Sequence, residues 1–385
     1  MKKITAILIT ALLFITSSIP VFAINSNNKT KNEEIQKVVS GVLSNDTTIP
    51  FEEMADVMNE DENAAKQLIN YFSEIAKPIP TENHWTDDDE QTDTERQYQY
   101  QSSTEYNPST KQEKIVIEND LYLEPPIKYA EYEPGDTDLS STPFSPFSSP
   151  LLTRSLDWTE ENPQNYADTK TIFKLFIFKS GYNEVWNGTA FKVSANYLAT
   201  AGHCLFDYYG DAFGAKATSV DNKWAGNILC IPAYRVDSNG NEIYPLGSSY
   251  QVVTNMTCGT EWRQSGDWGR DWGVLQTKND LHTGAMAFYY VGDRDNLSGT
   301  QVRLMGYPAG RKNMELSWGA ITVSYRYSAI ANCKGSGGQS GGPLNNTDTQ
   351  IIGICSRGNE STGEVKFVKY DKWLFNKMLT YRNKS

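Results

Sequence analysis

The stretch Gly335-Ser336-Gly337-Gly338-Gln339-Ser340-Gly341-Gly342-Pro343-Leu344 sets two serines among five glycines and runs into a proline. Glycine reaches backbone conformations closed to other residues, so such a run can turn sharply. A sharp turn here aims the amides of Gly338 and Ser340 at one point, where a developing oxyanion can be held. A phosphate-cradling loop of the Walker type needs Gly-Lys-Ser/Thr, which is absent. A flexible linker does not suit a segment placed between two strand-like runs.

Working outward from Ser340, the partners that would activate it are sought among histidines and acids. The chain has three histidines. His84 lies in an acidic polar stretch and His282 in a Leu-His-Thr-Gly turn, whereas His203 ends Leu198-Ala199-Thr200-Ala201-Gly202-His203-Cys204, an apolar strand running into a small-residue turn. An imidazole titrates near working pH, so His203 can take the serine proton and return it to a leaving group. The acid is sought before an apolar strand, where a buried carboxylate can fix the imidazole tautomer. Arg270-Asp271-Trp272-Gly273-Val274-Leu275 fits, and Asp267-Trp268-Gly269 is a near-duplicate. Only Asp271 leads directly into the Val-Leu strand core, so it is preferred, with Asp267 as the alternative.

From about Ser155 the chain reads as short strands parted by Gly, Asn and Asp turns: Thr171 to Phe178, Thr189 to Val193, Tyr197 to Thr200, Ile228 to Ile231, Trp272 to Gln276, Val302 to Met305, Ala320 to Tyr325 and Gln350 to Ile354. That texture indicates an all-β barrel or sandwich and not a βαβ fold. Asp371 to Tyr381 places Trp373, Leu374, Lys377 and Met378 at helical spacing, which predicts a terminal helix.

The front of the chain differs. Lys2 and Lys3 precede an apolar run from Ile4 to Ile19, and Val21-Phe22-Ala23 supplies small residues for cleavage after Ala23, the pattern of an export leader over 1–23. The product is expected to be secreted and extracellular. Glu33 to Ala76 carries the spacing of short amphipathic helices, closed by Pro78 and Pro80. Thr81 to Thr153 is polar, acidic and Ser/Pro-rich, and buries too little apolar surface to offset its ordering entropy, apart from a strand-like run over Lys114 to Leu123. Residues 1–154 hold 12 basic against 26 acidic side chains, a net of −14, while 155–385 carry a net of +2. Residues 24–154 are therefore read as an acidic pro-region, with Arg154 as the candidate cut site and 155–385 as the working domain. A permanent N-terminal binding domain is the alternative. Five cysteines, Cys204, Cys230, Cys258, Cys333 and Cys355, all fall in the second half, which in an exported chain favours disulfides. Cys333 with Cys355 and Cys204 with Cys230 are the expected pairs, leaving Cys258 unpaired.

Ala-Gly-His-Cys at 201–204, Asp-Trp-Gly-Val-Leu at 271–275, Gly306-Tyr307-Pro308, Gly-Gln-Ser-Gly-Gly-Pro at 338–343 and the stretch from Ile231-Pro232 to Pro245-Leu246-Gly247 resemble the secreted bacterial glutamyl-endopeptidase-like branch of the chymotrypsin-type serine proteases. The resemblance runs from about Thr171 to Met378. It implies two six-stranded antiparallel β-barrels with the active site between them, a C-terminal helix, and a partly helical, partly disordered pro-region in front. It also implies a secreted serine endopeptidase with His203, Asp271 and Ser340 as its catalytic set and Gly338 and Ser340 as its oxyanion hole. Lys334, Gly335, Ser336, Cys355 and Arg357 stand at the positions of the substrate pocket. Three departures bear on specificity and maturation. Gln339 stands where the animal digestive enzymes have Asp, so activation by a new N-terminal ammonium is not available. Cys355 stands where glutamate-specific members carry His, and Gly335 where they carry Thr. Lys334 disfavours a basic P1 residue and, with Arg357, offers positive charge to an acidic one; the alternative is that both are solvated loop charges.

Two rival functions follow from the same residues. One is a catalytically silent protease-like binding protein. The other is an esterase of the α/β-hydrolase type, which Gly338-Gln339-Ser340-Gly341-Gly342 satisfies locally but the order His, Asp, Ser contradicts. No metal or cofactor is called for, since the histidines are dispersed without ligand spacing. The expected partners are protein or peptide substrates and an activating protease acting in trans. Neither nucleic acid nor membrane is expected, and the chain is expected to be a monomer.

Overall fold

The structure is a computed structural model. It describes residues 19–80, 102–118, 129–130, 159–160, 168–179, 181–210, 223–236, 242–243, 250–281, 285–291, 296–311, 313–346, 350–359 and 362–384. The start of the leader, the Asp87-Asp88-Asp89-Glu90 run, the Ser/Pro-rich segment with Arg154, His84, His282 and the Pro245–Gly247 loop lie outside the described residues.

Three helices come first: α1 (Ile19–Leu43), α2 (Phe51–Glu60) and α3 (Glu62–Ile75). The helical spacing is realised as buried stripes, Phe51, Met54, Ala55 and Met58 on α2 and Ala64, Ala65, Leu68, Ile69 and Phe72 on α3. Asp61 separates the two helices and caps α3 by accepting from Ala64 N. Five strands follow: β1 (Lys77–Pro78), β2 (Ser102–Asn107), β3 (Gln112–Ile117), β4 (Tyr129–Ala130) and β5 (Thr159–Glu160).

The first barrel is built from β6 (Ile172–Phe178), β7 (Val185–Ser194), β8 (Tyr197–Thr200), β9 (Asn227–Pro232), β12 (Gln251–Gly259) and β13 (Gly273–Thr277), with a small ribbon of β10 (Arg235–Val236) and β11 (Glu242–Ile243) and a short helix α4 (Thr260–Ser265) between them. Its order is β13-β8-β7-β6-β9-β12, and pairing of β12 with β13 closes the ring. The second half contributes β14 (Phe288–Tyr289), β15 (Gln301–Gly306), β16 (Glu315–Ser324), β17 (Ser328–Ala331), β18 (Pro343–Asn345), β19 (Ile351–Asn359), β20 (Glu364–Lys369) and the C-terminal helix α5 (Lys372–Arg382). Its ring runs β18-β15-β16-β17-β20-β19 and closes through β18 with β19. These are two six-stranded antiparallel barrels, and closure removes the free edges that open sheets must protect.

Every side chain of β6 is buried, and the two-residue alternation of a strand shows why. Phe173, Leu175 and Ile177 point into the first barrel, whereas Ile172, Phe176 and Phe178 join a second core shared with α1, α2, α3 and α5. The N-terminal helices therefore cover the outer face of the first barrel. Phe72 meets Phe178 and Phe176 at centroid distances of 5.0 and 5.7 Å, and Phe51 meets Phe178 at 4.9 Å.

Two expectations need correction. The polar stretch after Thr81 contains more order than a strand over Lys114 to Leu123, because β2 and β3 form a hairpin and β2 pairs with β12 from Ser103↔Gly259 to Tyr106↔Met256. The stabilisation is backbone pairing plus a few anchors, which apolar composition does not register. Tyr106 stacks on Trp224 at 4.7 Å, Arg263 pairs with Glu113, and Lys377 of α5 pairs with Glu118. The disulfides are also absent: all five cysteines are buried free thiols, neither Cys333–Cys355 nor Cys204–Cys230 being bonded. They pack as small apolar groups, and burial pushes the Cys230 and Cys355 thiols up and that of Cys333 up to about 12.

Candidate active site

His203 and Asp271 meet because their strands are neighbours. β8 pairs with β13 so that Thr200 lies opposite Gly273, and each strand carries its polar residue just outside that pair. After β8 a short 3-10 turn, Gly202–Cys204, lifts His203 off the sheet, and Asp271 sits between another such turn, Trp268–Arg270, and β13. The carboxylate then grips the histidine twice: Oδ1 accepts from His203 N at 2.7 Å, and Oδ2 lies 2.7 Å from Nδ1. The near-duplicate Asp267 has a different task, since its side chain accepts from Gly269 N at 2.9 Å and caps the turn that delivers Asp271.

Ser356 supplies a third bond, Oγ donating to Asp271 Oδ2 at 2.6 Å from a fully buried position. The sequence reading missed it. The one available signal was its place next to Cys355 in the strand after Ser340. Asp271 is thus buried with three donors, which satisfy its oxygens away from water. Burial by itself would lower the His203 pKa, but Asp271, with a smaller push from Cys204, overrides it and the imidazole is pushed up to about 10. The far nitrogen, Nε2, is buried and has no hydrogen-bond partner among the described residues. Trp262 and Trp268 flank the ring at 6.2 and 6.0 Å.

Ser340 is presented by the glycine turn between β17 and β18. Gly338 and Gly341 take φ of +97° and +86°, in the region that favours glycine. At Gly341 a Cβ would lie 2.1 Å from Thr200 Oγ1 and 2.2 Å from Thr189 O, so the first barrel closes directly on the turn. Thr189 fixes it with two bonds, N to Ser340 O at 2.8 Å and Oγ1 to Gly338 O at 2.9 Å. Gly341 N donates to Cys355 O and Cys355 N to Gly342 O, at 2.7 and 2.8 Å, tying the turn to β19. Among the described residues the Gly338 and Ser340 amides donate to no backbone acceptor, whereas those of Gln339, Gly341 and Gly342 all do. Gln339 is buried and its Oε1 accepts from Ser336 N at 3.1 Å, so the loop braces itself locally.

The pocket candidates do not all converge. Gly335 lies against Val365 and Gly358, a Cβ there falling 2.3 Å from Val365 Cγ2 and 3.4 Å from Gly358 Cα. The segments carrying Lys334 to Ser336 and Ser356 to Gly358 are therefore in contact. Lys334 is partly exposed, and its carbonyl accepts from Ser317 Oγ at 2.7 Å. Arg357 is buried with its guanidinium 4.3 Å from the Trp268 ring centroid, on the His203 side. Cys355 is buried within β19.

Residues 188–354 match the family described as "Trypsin-like peptidase domain". The chain is 23% identical to a glutamyl endopeptidase of Bacillus licheniformis over 272 residues, which span 69% of this chain and 77% of that protein. Among solved structures, a Glu endopeptidase bound to MPD aligns with a TM-score of 0.47 at 16% identity, covering 59% of this chain and 97% of that one. The protease Anisep from Arthrobacter nicotinovorans aligns with a TM-score of 0.45 at 19% identity, covering 60% and 100%. The closed pair of six-stranded rings, the trypsin-like peptidase match over residues 188–354 and the similarity to a glutamyl endopeptidase agree with the chymotrypsin-type resemblance first read from the residues.

Proposed function

We propose that this serine endopeptidase works through His203, Asp271 and Ser340, is exported by the leader over 1–23, and matures by losing an acidic pro-region over 24–154. The carrying observation is the doubly bonded His203–Asp271 pair on one barrel, linked through Ser356 to the strand that also holds the Ser340 turn. Ser340 Oγ attacks the scissile carbonyl carbon and its proton passes to His203 Nε2. The carbonyl π pair moves onto oxygen, where the Gly338 and Ser340 amides receive it. Collapse of that intermediate expels the amine, which takes the proton from His203, and leaves an ester on Ser340. Water, deprotonated by the same imidazole, hydrolyses the ester and restores the serine. Asp271 keeps the proton on Nδ1 and stabilises the imidazolium; this triad logic is the handling of charge known for the fold family.

Specificity for an acidic P1 residue is part of this proposal and now rests on Lys334 together with the glutamyl endopeptidase relative, since Arg357 is committed to Trp268. Processed protein should be labelled at Ser340 by a phosphonylating reagent, and Ser340→Ala should abolish peptide cleavage while leaving the fold intact. Cleavage of a diverse peptide library should favour Glu or Asp over Ala or Leu at P1, less so in Lys334→Ala. Appreciable activity in Ser340→Ala would remove the nucleophile; cutting mainly after Arg, Lys or large apolar residues would remove the acidic preference alone.

A further inference from the structure

In the full-length chain the candidate site is covered. Ser340 is 4% and His203 3% exposed, and no hydrogen bond reaches His203 Nε2. The Gly335 and Gly358 backbones touch where a pocket would have to open. A segment from outside the barrels reaches this region. β1, which follows α3 after one residue, pairs in parallel with β7, Lys77 opposite Trp186 and Pro78 opposite Asn187. Pro78 also abuts the nucleophile loop, since a Cβ on Gly337 would lie 2.4 Å from Pro78 Cβ and 3.7 Å from its Cα. Gly337 immediately precedes the amide of Gly338, so Pro78 is seated next to the proposed oxyanion donor.

The segment is held by a large anchor. Besides the Phe51 and Phe72 contacts with Phe176 and Phe178, Tyr182 donates from its hydroxyl to Ile49 O at 2.7 Å and from its amide to Asn45 Oδ1 at 2.6 Å. Asn59 donates to Tyr250 O at 3.0 Å and accepts from Tyr250 N at 2.9 Å. The hairpin β2–β3, by contrast, sits on β12.

We propose that the helical module α1–α3 and its tip Lys77-Pro78 form the inhibitory element of the full-length chain, blocking access over Gly337, and that a cut near Arg154 alone does not release it. The proposal rests on the protease reading given above. It separates covalent processing from activation: the module stays seated by its own contacts until it dissociates or is itself degraded.

The test uses the full-length protein and a short fluorogenic peptide. Pro78 is exposed, so Lys77→Gly/Pro78→Gly should leave the urea midpoint unchanged. It should raise both peptide hydrolysis and the rate of Ser340 phosphonylation at least tenfold over the parent. Glu113→Gln, which loosens the hairpin instead, should leave both at the parent level. Protein nicked at Arg154, its pieces kept together on a native sizing column, should stay as inactive as the intact chain and gain activity when the N-terminal piece is stripped away. Full activity on nicking alone, or no gain from the Lys77/Pro78 variant, would overturn the proposal. If the stripped domain is itself inactive, the protease reading fails with it; if the intact chain matches the stripped domain, only the inhibitory assignment fails.

Discussion

Arg270, the residue before Asp271, forms an ion pair with Asp371 at 2.7 Å, with 1% and 2% of the two side chains exposed. Asp371 also caps α5, its Oδ1 accepting from Leu374 N at 2.8 Å. Asp371→Asn separates these roles, because Asn caps a helix about as well as Asp but cannot balance a buried guanidinium. Removing one partner of a buried pair costs about 3–5 kcal/mol. The Tyr327 ring lies 3.6 Å from the guanidinium before and after the change, so its contribution cancels in the difference. A loss of about 3–5 kcal/mol is expected, read by urea unfolding in a Ser340→Ala background at unchanged m-value. Arg270→Met should cost a similar amount, and the double variant well under the sum, because it leaves no orphaned charge. In the active background kcat/KM should fall about 10–100-fold, the penalty of a reacting group displaced by ~1 Å. Single variants costing under about 1 kcal/mol, with an additive double variant, would refute the idea that this pair fixes the backbone delivering Asp271.

Ser356→Ala removes a hydrogen bond to a buried charge worth about 1.5–3 kcal/mol, so processed enzyme should lose roughly 10–100-fold in kcat with little change in KM; equal kinetics would show that Asp271 does not need this donor. Gly341→Ala forces a Cβ onto Thr200 and Thr189 at positive φ and should cost about 4 kcal/mol or more, visible as loss of the cooperative thermal transition. For His203, whose folded pKa is raised by Asp271, the stabilising contribution is fully present below about pH 6.5 and is lost as pH rises through about 10. Urea unfolding of the full-length Ser340→Ala chain at pH 6 and 10.5 should therefore show a larger alkaline loss than the same chain carrying Asp271→Asn, and parallel losses would contradict the assignment.

Much of the barrel architecture was legible because its strands alternate and its turns use Gly, Asn and Asp. The run Tyr197 to Thr200 coincides with β8, and Thr171 to Phe178 and Val302 to Met305 differ from β6 and β15 by one residue at one or both ends. β12 and β20 escaped notice, since Gln251–Gly259 and Glu364–Lys369 mix Thr, Asn, Lys and Glu into positions that neighbouring strands bury. β2 was hidden for a related reason: Ser102–Asn107 gains its order from the ladder of β12, a tertiary cause that propensity does not carry. The histidine, acid and serine were read from local context, and the structure brings the first two together while giving Asp267 a capping role. Arg357 shows the limit of position counting, because its place in the chain says nothing of the Trp268 ring that captures its side chain.

β19 touches both halves of the site within three residues. Cys355 holds the Ser340 turn by its backbone, Ser356 holds Asp271 by its side chain, and Arg357 covers Trp268 beside His203. Register with β20 shifts between Cys355 and Arg357, so one local irregularity sets the spacing of these contacts. A strand reverses its faces with every residue; inserting or deleting one residue in this short run would turn the hydroxyl away from the acid and disconnect the brace of the Ser340 turn together. Length is therefore the protected quantity here: side chains along 355–357 can be exchanged singly with graded losses, whereas a change of one in their number should be tolerated nowhere in the run.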